Sequence, residues 1–318
     1  MSFGRILTAM VTPLNEALEV DYQEAKRLAE YLINHGSDGI VVCGTTGESP
    51  TVTENEKVEL FKIVKEAVGT KGTVIAGIGS NSTKSSISLA RKAVITGVDG
   101  LMAVVPYYNK PSQEGMYQHF KVIAEATSLP LMLYNVPGRT SANLMPVTVK
   151  RLSELPNIVA LKEAAGSLDQ VSELKRMLPS SFAVYSGDDS MTLPMLALGC
   201  SGIVSVAAHV IGDEMKEMVD AWFAGDIAKA TEWHLELFPV FKGIFITANP
   251  VPIKALLNMF GHKVGGVRLP LVEATPEEIK FLQDLMESVR RAEPKEYSNS
   301  QISHELKAAS AKPVASIV

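Results

Sequence analysis

Ile158-Val159-Ala160-Leu161-Lys162-Glu163-Ala164-Ala165-Gly166 holds a four-residue apolar run, with Pro156 just before it. A run that short, bounded by proline and glycine, reads as a buried parallel strand. Lys162 then sits where the strand ends, with its ammonium held away from bulk water. Burial disfavours the charged form and lowers a lysine pKa, which leaves more free amine to act as a nucleophile. Such an amine can condense with a ketone to form a Schiff base. The plainer alternative is a lysine that snorkels to the surface or pairs with an acid. Alone, the run favours that alternative; the segments around it reverse the preference.

Outward from this strand one unit repeats: a short apolar run, then an amphipathic stretch. Runs at 6–11, 40–43, 73–78, 100–105, 131–135, 158–162, 182–186 and 202–206 read as strands. Asp21 opens a helix in which Ala25, Leu28, Ala29, Leu32 and Ile33 recur at helical spacing, and Gly36 stops it. Thr53 and Glu56 make a capping box for a helix to about Val68. Further helices run from Thr83 to Thr96, with Gly97 as stop, and from the cap Ser112 to near Thr127. Others start near Pro146, Ser167, Ser190 and Gly212. Eight strand–helix units imply a closed (β/α)8 TIM barrel over residues 1–224, the catalytic domain. An open doubly wound sheet alternates in the same way. It would normally carry a glycine-rich loop after its first strand, where this chain has Thr12-Pro13-Leu14.

Helical patterns at 226–246, 252–260 and 276–290 follow without another strand, so residues 225–292 read as a small all-helical C-terminal appendage. Trp222, Phe223, Trp233, Leu237 and Phe241 form an apolar stripe that reads as packing surface rather than a cofactor box. Residues 293–318, richer in Ser, Lys and Ala, read as a loosely attached tail or an added segment.

The 318 residues are 46% hydrophobic and 20% charged, as expected of a globular protein with a large core. A net charge of -5 and no basic block argue against a nucleic-acid partner. Apolar runs such as 203–210 are too short to span a membrane, and Met1-Ser2-Phe3-Gly4-Arg5 lacks a signal-peptide apolar region. Cys43 and Cys200 suit buried, reduced thiols, and none of the six histidines has metal-ligand spacing. A cytoplasmic, metal-free protein is the expectation.

In such a barrel the site lies where strands end and loops begin. Those ends read Gly44-Thr45-Thr46-Gly47-Glu48-Ser49, Pro106-Tyr107-Tyr108-Asn109-Lys110-Pro111, Tyr134-Asn135-Val136-Pro137-Gly138-Arg139-Thr140, Lys162-Glu163, Ser186-Gly187-Asp188-Asp189 and Ser205-Val206. Glycines around Thr45-Thr46 let backbone amides form an anion nest for a carboxylate, or else a simple turn. Tyr134, beside Lys162, could reach a nascent imine, and with Thr45 and a second tyrosine could relay protons. Tyr108 and Tyr134 could equally be rim aromatics. Arg139 offers a planar fork for a substrate carboxylate, or a surface salt bridge. Asp188-Asp189 reads as a helix N-cap in preference to acid–base catalysis.

The ordered motifs GTTGES, PYYNKPSQEG, YNVPGRT and LKEA resemble the dihydrodipicolinate synthase / N-acetylneuraminate lyase superfamily of class I aldolases, and its dihydrodipicolinate synthase branch most. The resemblance runs from about Arg5 to Val289. It implies that pyruvate forms an imine on Lys162, without other cofactor, and that the enamine attacks aspartate-4-semialdehyde. It implies that Thr45, Tyr108 and Tyr134 form a proton relay, with Tyr108 entering from a neighbouring subunit of a homotetramer built as a dimer of dimers. Thr46 matches a binder of the pyruvate carboxylate, Arg139 the residue that receives the semialdehyde, and Gly187 and Val204 the lining of the pyruvate pocket. Val204 is often isoleucine in the family. Arg139 and Thr45-Thr46 speak against the sialic-acid lyases, which usually lack that arginine and read Ser-Thr.

Ser49, Asn81 and Tyr107 match a lysine-effector site, but Glu54, Lys57 and Ser85 stand where lysine-inhibited members carry an aromatic ring and an acid. Lysine inhibition is therefore expected to be weak or absent. The competing readings are a pyruvate-dependent lyase acting on a sugar acid or hydroxy-oxo acid, a silent barrel that senses a small acid, and a pyridoxal-phosphate enzyme. Retention of Lys162, Tyr134 and Thr45 together speaks against the second, and the want of a phosphate cradle against the third.

Overall fold

Strands covered on both faces can be apolar throughout, and the eight runs are built that way. They form β1 (Ile6–Ala9), β2 (Gly39–Val42), β3 (Thr73–Gly77), β4 (Gly100–Val104), β5 (Leu131–Asn135), β6 (Ile158–Glu163), β7 (Ala183–Ser186) and β8 (Gly202–Ser205). In the computed structural model, which describes residues 3–291, these strands close into a barrel in sequence order. Every pairing is parallel, including β8 with β1. Gly202 (φ +154°) permits that last seam, because a Cβ there would run into the Arg5 carbonyl, which accepts from Ile203 N–H at 2.8 Å.

The crossovers are α1 (Tyr22–Asn34), α2 (Glu54–Val68), α3 (Thr83–Ile95), α4 (Gln113–Glu125), α5 (Pro137–Thr140), α6 (Pro146–Leu152), α7 (Leu168–Met177), α8 (Thr192–Ala197) and α9 (Gly212–Ala224). The Thr53–Glu56 capping box is formed in both directions, and Asp21, Ser112 and Ser167 cap their helices. Each such cap stabilises by about 1 kcal/mol. Three details depart from expectation. β1 stops at Ala9, because the Val11 N–H donates to His209 Nε2 at 3.1 Å instead of to a strand. The helix expected near Ser190 opens as a 3-10 turn over Asp189–Met191 and becomes α8 only at Thr192. The single turn α5 follows β5, with Pro137 pre-set for its first position.

Strand alternation sorts the core into two shells. Leu7, Val41, Ile75, Met102, Met132, Ala160, Tyr185 and Val204 fill the barrel interior. Ile6, Ile40, Val74, Leu101, Leu131, Leu161, Val184 and Ile203 pack outward against the helices. The same parity turns Tyr134 and Lys162, two residues beyond Met132 and Ala160, into the barrel.

Helices α10 (Ile227–Gly243), α11 (Val251–Met259) and α12 (Pro276–Arg291) follow. Leu237 and Phe241 are buried and Trp222 and Trp233 pack against the core, as expected of a packing stripe. Phe223 instead stays exposed, with the Arg5 guanidinium 3.9 Å from its ring centroid. The segment after α11 returns to the barrel: Leu14 N–H donates to Val264 O at 3.0 Å, and Arg268 Nε to Leu18 O at 2.8 Å. The expected tail at 293–318 lies outside the described residues.

Candidate active site

Tyr134 and Lys162 are direct register partners on β5 and β6. Lys162 is only 5% exposed, and its Nζ sits 4.3 Å from the centroid of the Tyr134 ring. An electron-rich ring face can hold an ammonium without an acid partner. The neighbouring strand leaves room for this: a Cβ on Gly187 would meet Ala164 Cβ at 2.7 Å, Lys162 Cε at 3.1 Å and Lys162 Cγ at 3.2 Å. Val204 is buried in the interior shell on β8.

A cavity of about 220 Å³ opens at this end of the barrel, walled in part by Thr45, Ser49, Tyr107, Tyr134 and Arg139. Five expected residues are thereby brought together. Lys162, Thr46, Gly187 and Val204 are not on its wall; Lys162 touches the wall through the Tyr134 ring. Arg139, on α5, is exposed at the cavity. Among the described residues no carboxylate pairs with it. Tyr108 is apart from the rest, 89% exposed and held at φ +71°. A left-handed conformation is uncommon for a residue with a Cβ.

The loop after β2 folds on itself, with Glu48 N–H donating to Thr45 O at 3.0 Å and Ser49 N–H to Gly44 O at 3.3 Å. Among the described residues no group accepts from the Thr45, Thr46 or Gly47 amides. Successive free amides at glycines are what an anion nest requires. Thr46 is buried, and its hydroxyl oxygen accepts from Asn249 Nδ2 at 2.9 Å.

Two buried acids shape the strand ends. Glu163, next to Lys162 but facing outward, accepts from Asn135 Nδ2 at 3.1 Å, Ala165 N–H at 2.7 Å and Gln170 Nε2 at 3.1 Å. Burial pushes its carboxyl above the usual range. Asp188 is the cap anticipated for the following turn, accepting from Ser190 N–H at 3.0 Å. Asp189 is not a cap: it lies buried against β8, accepting from Ser205 Oγ and the Val206 and Ala207 amides. Burial pushes its carboxyl up to about 6. Glu163 was findable from alternation, since it must face opposite to Lys162; Asp189 had no local signal.

Around the positions matching an effector site, Ser49 and Tyr107 line the same cavity and the Asn81 carbonyl accepts from Asn109 Nδ2 at 2.9 Å. Ser85 is exposed, with its hydroxyl donating to Ser82 Oγ at 3.1 Å. Glu54 is already paired with Lys92 at 2.7 Å. Among the described residues no helix is long and apolar enough to cross a membrane, and no three His, Cys, Asp or Glu side chains are grouped to hold a metal ion.

A family model described as the dihydrodipicolinate synthetase family matches residues 2–289. The chain belongs to this family. A 4-hydroxy-tetrahydrodipicolinate synthase from Desulforamulus reducens is 60% identical over 290 residues, 91% of this chain and 98% of the relative. The crystal structure of dihydrodipicolinate synthase from Bacillus anthracis superposes with a TM-score of 0.89 at 52% identity, covering 91% of this chain and 99% of that one. A structure from Cyanidioschyzon merolae, solved with lysine bound, gives a TM-score of 0.89 at 48% identity, covering 91% and 99%. Membership in the dihydrodipicolinate synthetase family thus extends over both the barrel and the helices that follow it.

Proposed function

We propose that this chain is a Schiff-base-forming synthase that condenses pyruvate with L-aspartate-4-semialdehyde to give 4-hydroxy-tetrahydrodipicolinate, on the route to diaminopimelate and lysine. One observation carries the chemistry: a buried lysine and a tyrosine in register inside the barrel, at the mouth of a small cavity. The relatives' activity supplies the substrates.

Lys162 in its neutral form adds to the pyruvate C2 carbonyl, and water leaves as the imine forms. Loss of a methyl proton gives the enamine, whose carbon attacks the aldehyde; the new alkoxide takes a proton. The amine of the former semialdehyde then adds to the imine carbon and expels Lys162, closing the ring. Tyr134 hands protons at the imine, and Thr45 with Tyr108 of a second subunit passes them to solvent. The Thr46 hydroxyl and the free loop amides take the pyruvate carboxylate, with Gly187 and Val204 as the walls around the keto acid. Arg139 takes the semialdehyde carboxylate. An exposed guanidinium at the cavity, without an acid partner among the described residues, favours an acidic aldehyde over a polyhydroxylated sugar.

No cofactor enters this scheme, because the amine supplies the electron sink as an iminium. The working unit is at least a dimer and, by family resemblance, a homotetramer in the cytoplasm. The exposed, left-handed Tyr108 supports the subunit crossing. Lysine inhibits weakly or not at all, since Ser85 brings no carboxylate to an incoming ammonium; strong inhibition at sub-millimolar lysine refutes this.

The test is borohydride reduction in the presence of pyruvate, followed by intact mass and peptide mapping. Wild type gains one reduced pyruvate on Lys162 and Lys162→Ala gains none. Modification elsewhere, or nowhere, overturns the scheme.

A further inference from the structure

Elements remote in sequence hold the loop that carries Thr45 and Thr46 from both ends. At one end, Asn249 Nδ2 donates to Thr46 Oγ1 at 2.9 Å. At the other, Glu48 stands in the left-handed conformation (φ +54°) with its carboxylate turned inward. Lys254 Nζ on α11 is 2.9 Å from Glu48 Oε1, and both side chains are 2% exposed. The Arg268 N–H donates to Glu48 Oε2 at 2.9 Å, and Lys254 Nζ also donates to Gly266 O. The Arg268 guanidinium reaches Thr51 O at 2.8 Å, just past the loop.

We infer that the segment from Asn249 to Arg268 is a positioning part of the keto-acid site, with Asn249 and the Lys254–Glu48 ion pair as its fixing groups. The inference rests on the reading of the Thr45–Thr46 loop as the carboxylate binder. A buried ion pair is weak evidence for stability, since desolvation offsets much of the attraction. It does fix geometry, because a charge without its partner cannot remain buried. The Glu48 side chain cannot move without uncovering Lys254, and the Thr45–Gly47 amides precede it directly in the chain.

The hydrogen bond to Thr46 sets a direction as well as a place. A hydroxyl has one proton and two lone pairs. Asn249 fills a lone pair of Thr46, so the Thr46 proton stays free to donate to a carboxylate. Asn249 and Lys254 do not line the cavity, so they act through the loop and not by touching substrate.

Two variants test this: Asn249→Ala, and the double replacement Glu48→Gln with Lys254→Met, which removes both buried charges and leaves neither unpaired. Each should raise KM for pyruvate about tenfold while KM for the semialdehyde stays within about twofold. Saturating pyruvate with borohydride should still label Lys162 fully. Folded variants with wild-type KM for pyruvate overturn the inference, as does a parallel rise of both KM values with a lowered Tm, the mark of a generally loosened mouth. Should the double variant not fold, Asn249→Ala decides alone, since it removes a single donor. A wild-type protein that takes no trapped pyruvate sinks the synthase reading itself; a trapped wild type with unchanged variants sinks only this inference.

Discussion

Lys162 Nζ lies over the face of the Tyr134 ring, 4.3 Å from its centroid, and the two residues are paired across β5 and β6. The ring and the hydroxyl of Tyr134 therefore have separable duties: the face shelters the amine, and the hydroxyl serves the proton path. Tyr134→Phe keeps the first and deletes the second. Turnover should fall by roughly 10²-fold or more, within the range for a lost acid–base group, with Tm nearly unchanged. Steady-state kinetics beside a thermal melt reads both, and normal turnover would remove Tyr134 from the mechanism.

Gly187→Ala tests the room that the amine needs. The new methyl would press on Ala164 Cβ, a fixed neighbour at 2.7 Å, and on two carbons of the Lys162 side chain. Overpacking of this kind costs about 1–3 kcal/mol, which a barrel of this size survives. The displaced lysine should then take pyruvate poorly, so that borohydride labelling is much reduced in a protein with native circular dichroism. Full labelling would mean that the wall at Gly187 does not constrain Lys162.

Much of this arrangement was legible because its signals are local. A short apolar run ending in Lys162, a capping box at Thr53 and Glu56, and glycines just past α1 and α3 each state their structure within a few residues. Alternation alone then turns Lys162 inward and Glu163 outward. What stayed hidden depends on distance along the chain. The pair Glu48–Lys254 spans 206 residues and Asn249–Thr46 spans 203, so no window of sequence contains either. Nor does anything near Val11 announce that its amide goes to His209 and ends β1 early. The single turn α5 escaped notice for the opposite reason: four residues are too few for a helical period.

Glu56 supplies a stability prediction with a definite pH sign. Arg268 bonds its carboxylate in two places, at 2.7 and 3.1 Å, and the Arg268 guanidinium holds the carboxyl down to about 2 from a usual 4.5. A depressed acid contributes stability above its unfolded pKa and loses it as pH falls through the folded one. Glu56→Gln retains the capping box, which accepts glutamine, and removes the charge together with one of the two oxygens that accept from Arg268. It should cost ~1–2 kcal/mol at neutral pH after allowing for solvent screening. The gap between variant and wild type should narrow as pH falls below about 4.5. Denaturant titrations at neutral pH and near pH 3.5 measure it; a gap that does not shrink in acid would exclude the ion pair as its source.

Tyr108 gives a prediction that separates a subunit-crossing relay from a rim aromatic. Its side chain is almost fully exposed, so within one subunit it buries nothing, yet its backbone is held in a conformation that L-residues avoid. If Tyr108 serves the neighbour, Tyr108→Phe and Lys162→Ala subunits are each defective for different reasons. The first keeps its lysine and lacks a donated hydroxyl; the second donates the hydroxyl and lacks a lysine. A mixed dimer then rebuilds one intact site from two impaired chains. With equal, random pairing half the dimers are mixed and one site in each is whole, so the pool should recover about a quarter of wild-type turnover. Co-expression at equal levels, and assay of the pool without separating mixed from unmixed dimers, reads the number directly. Turnover no higher than the average of the two parents would place Tyr108 at the rim of its own subunit and leave the relay to Thr45 and Tyr134.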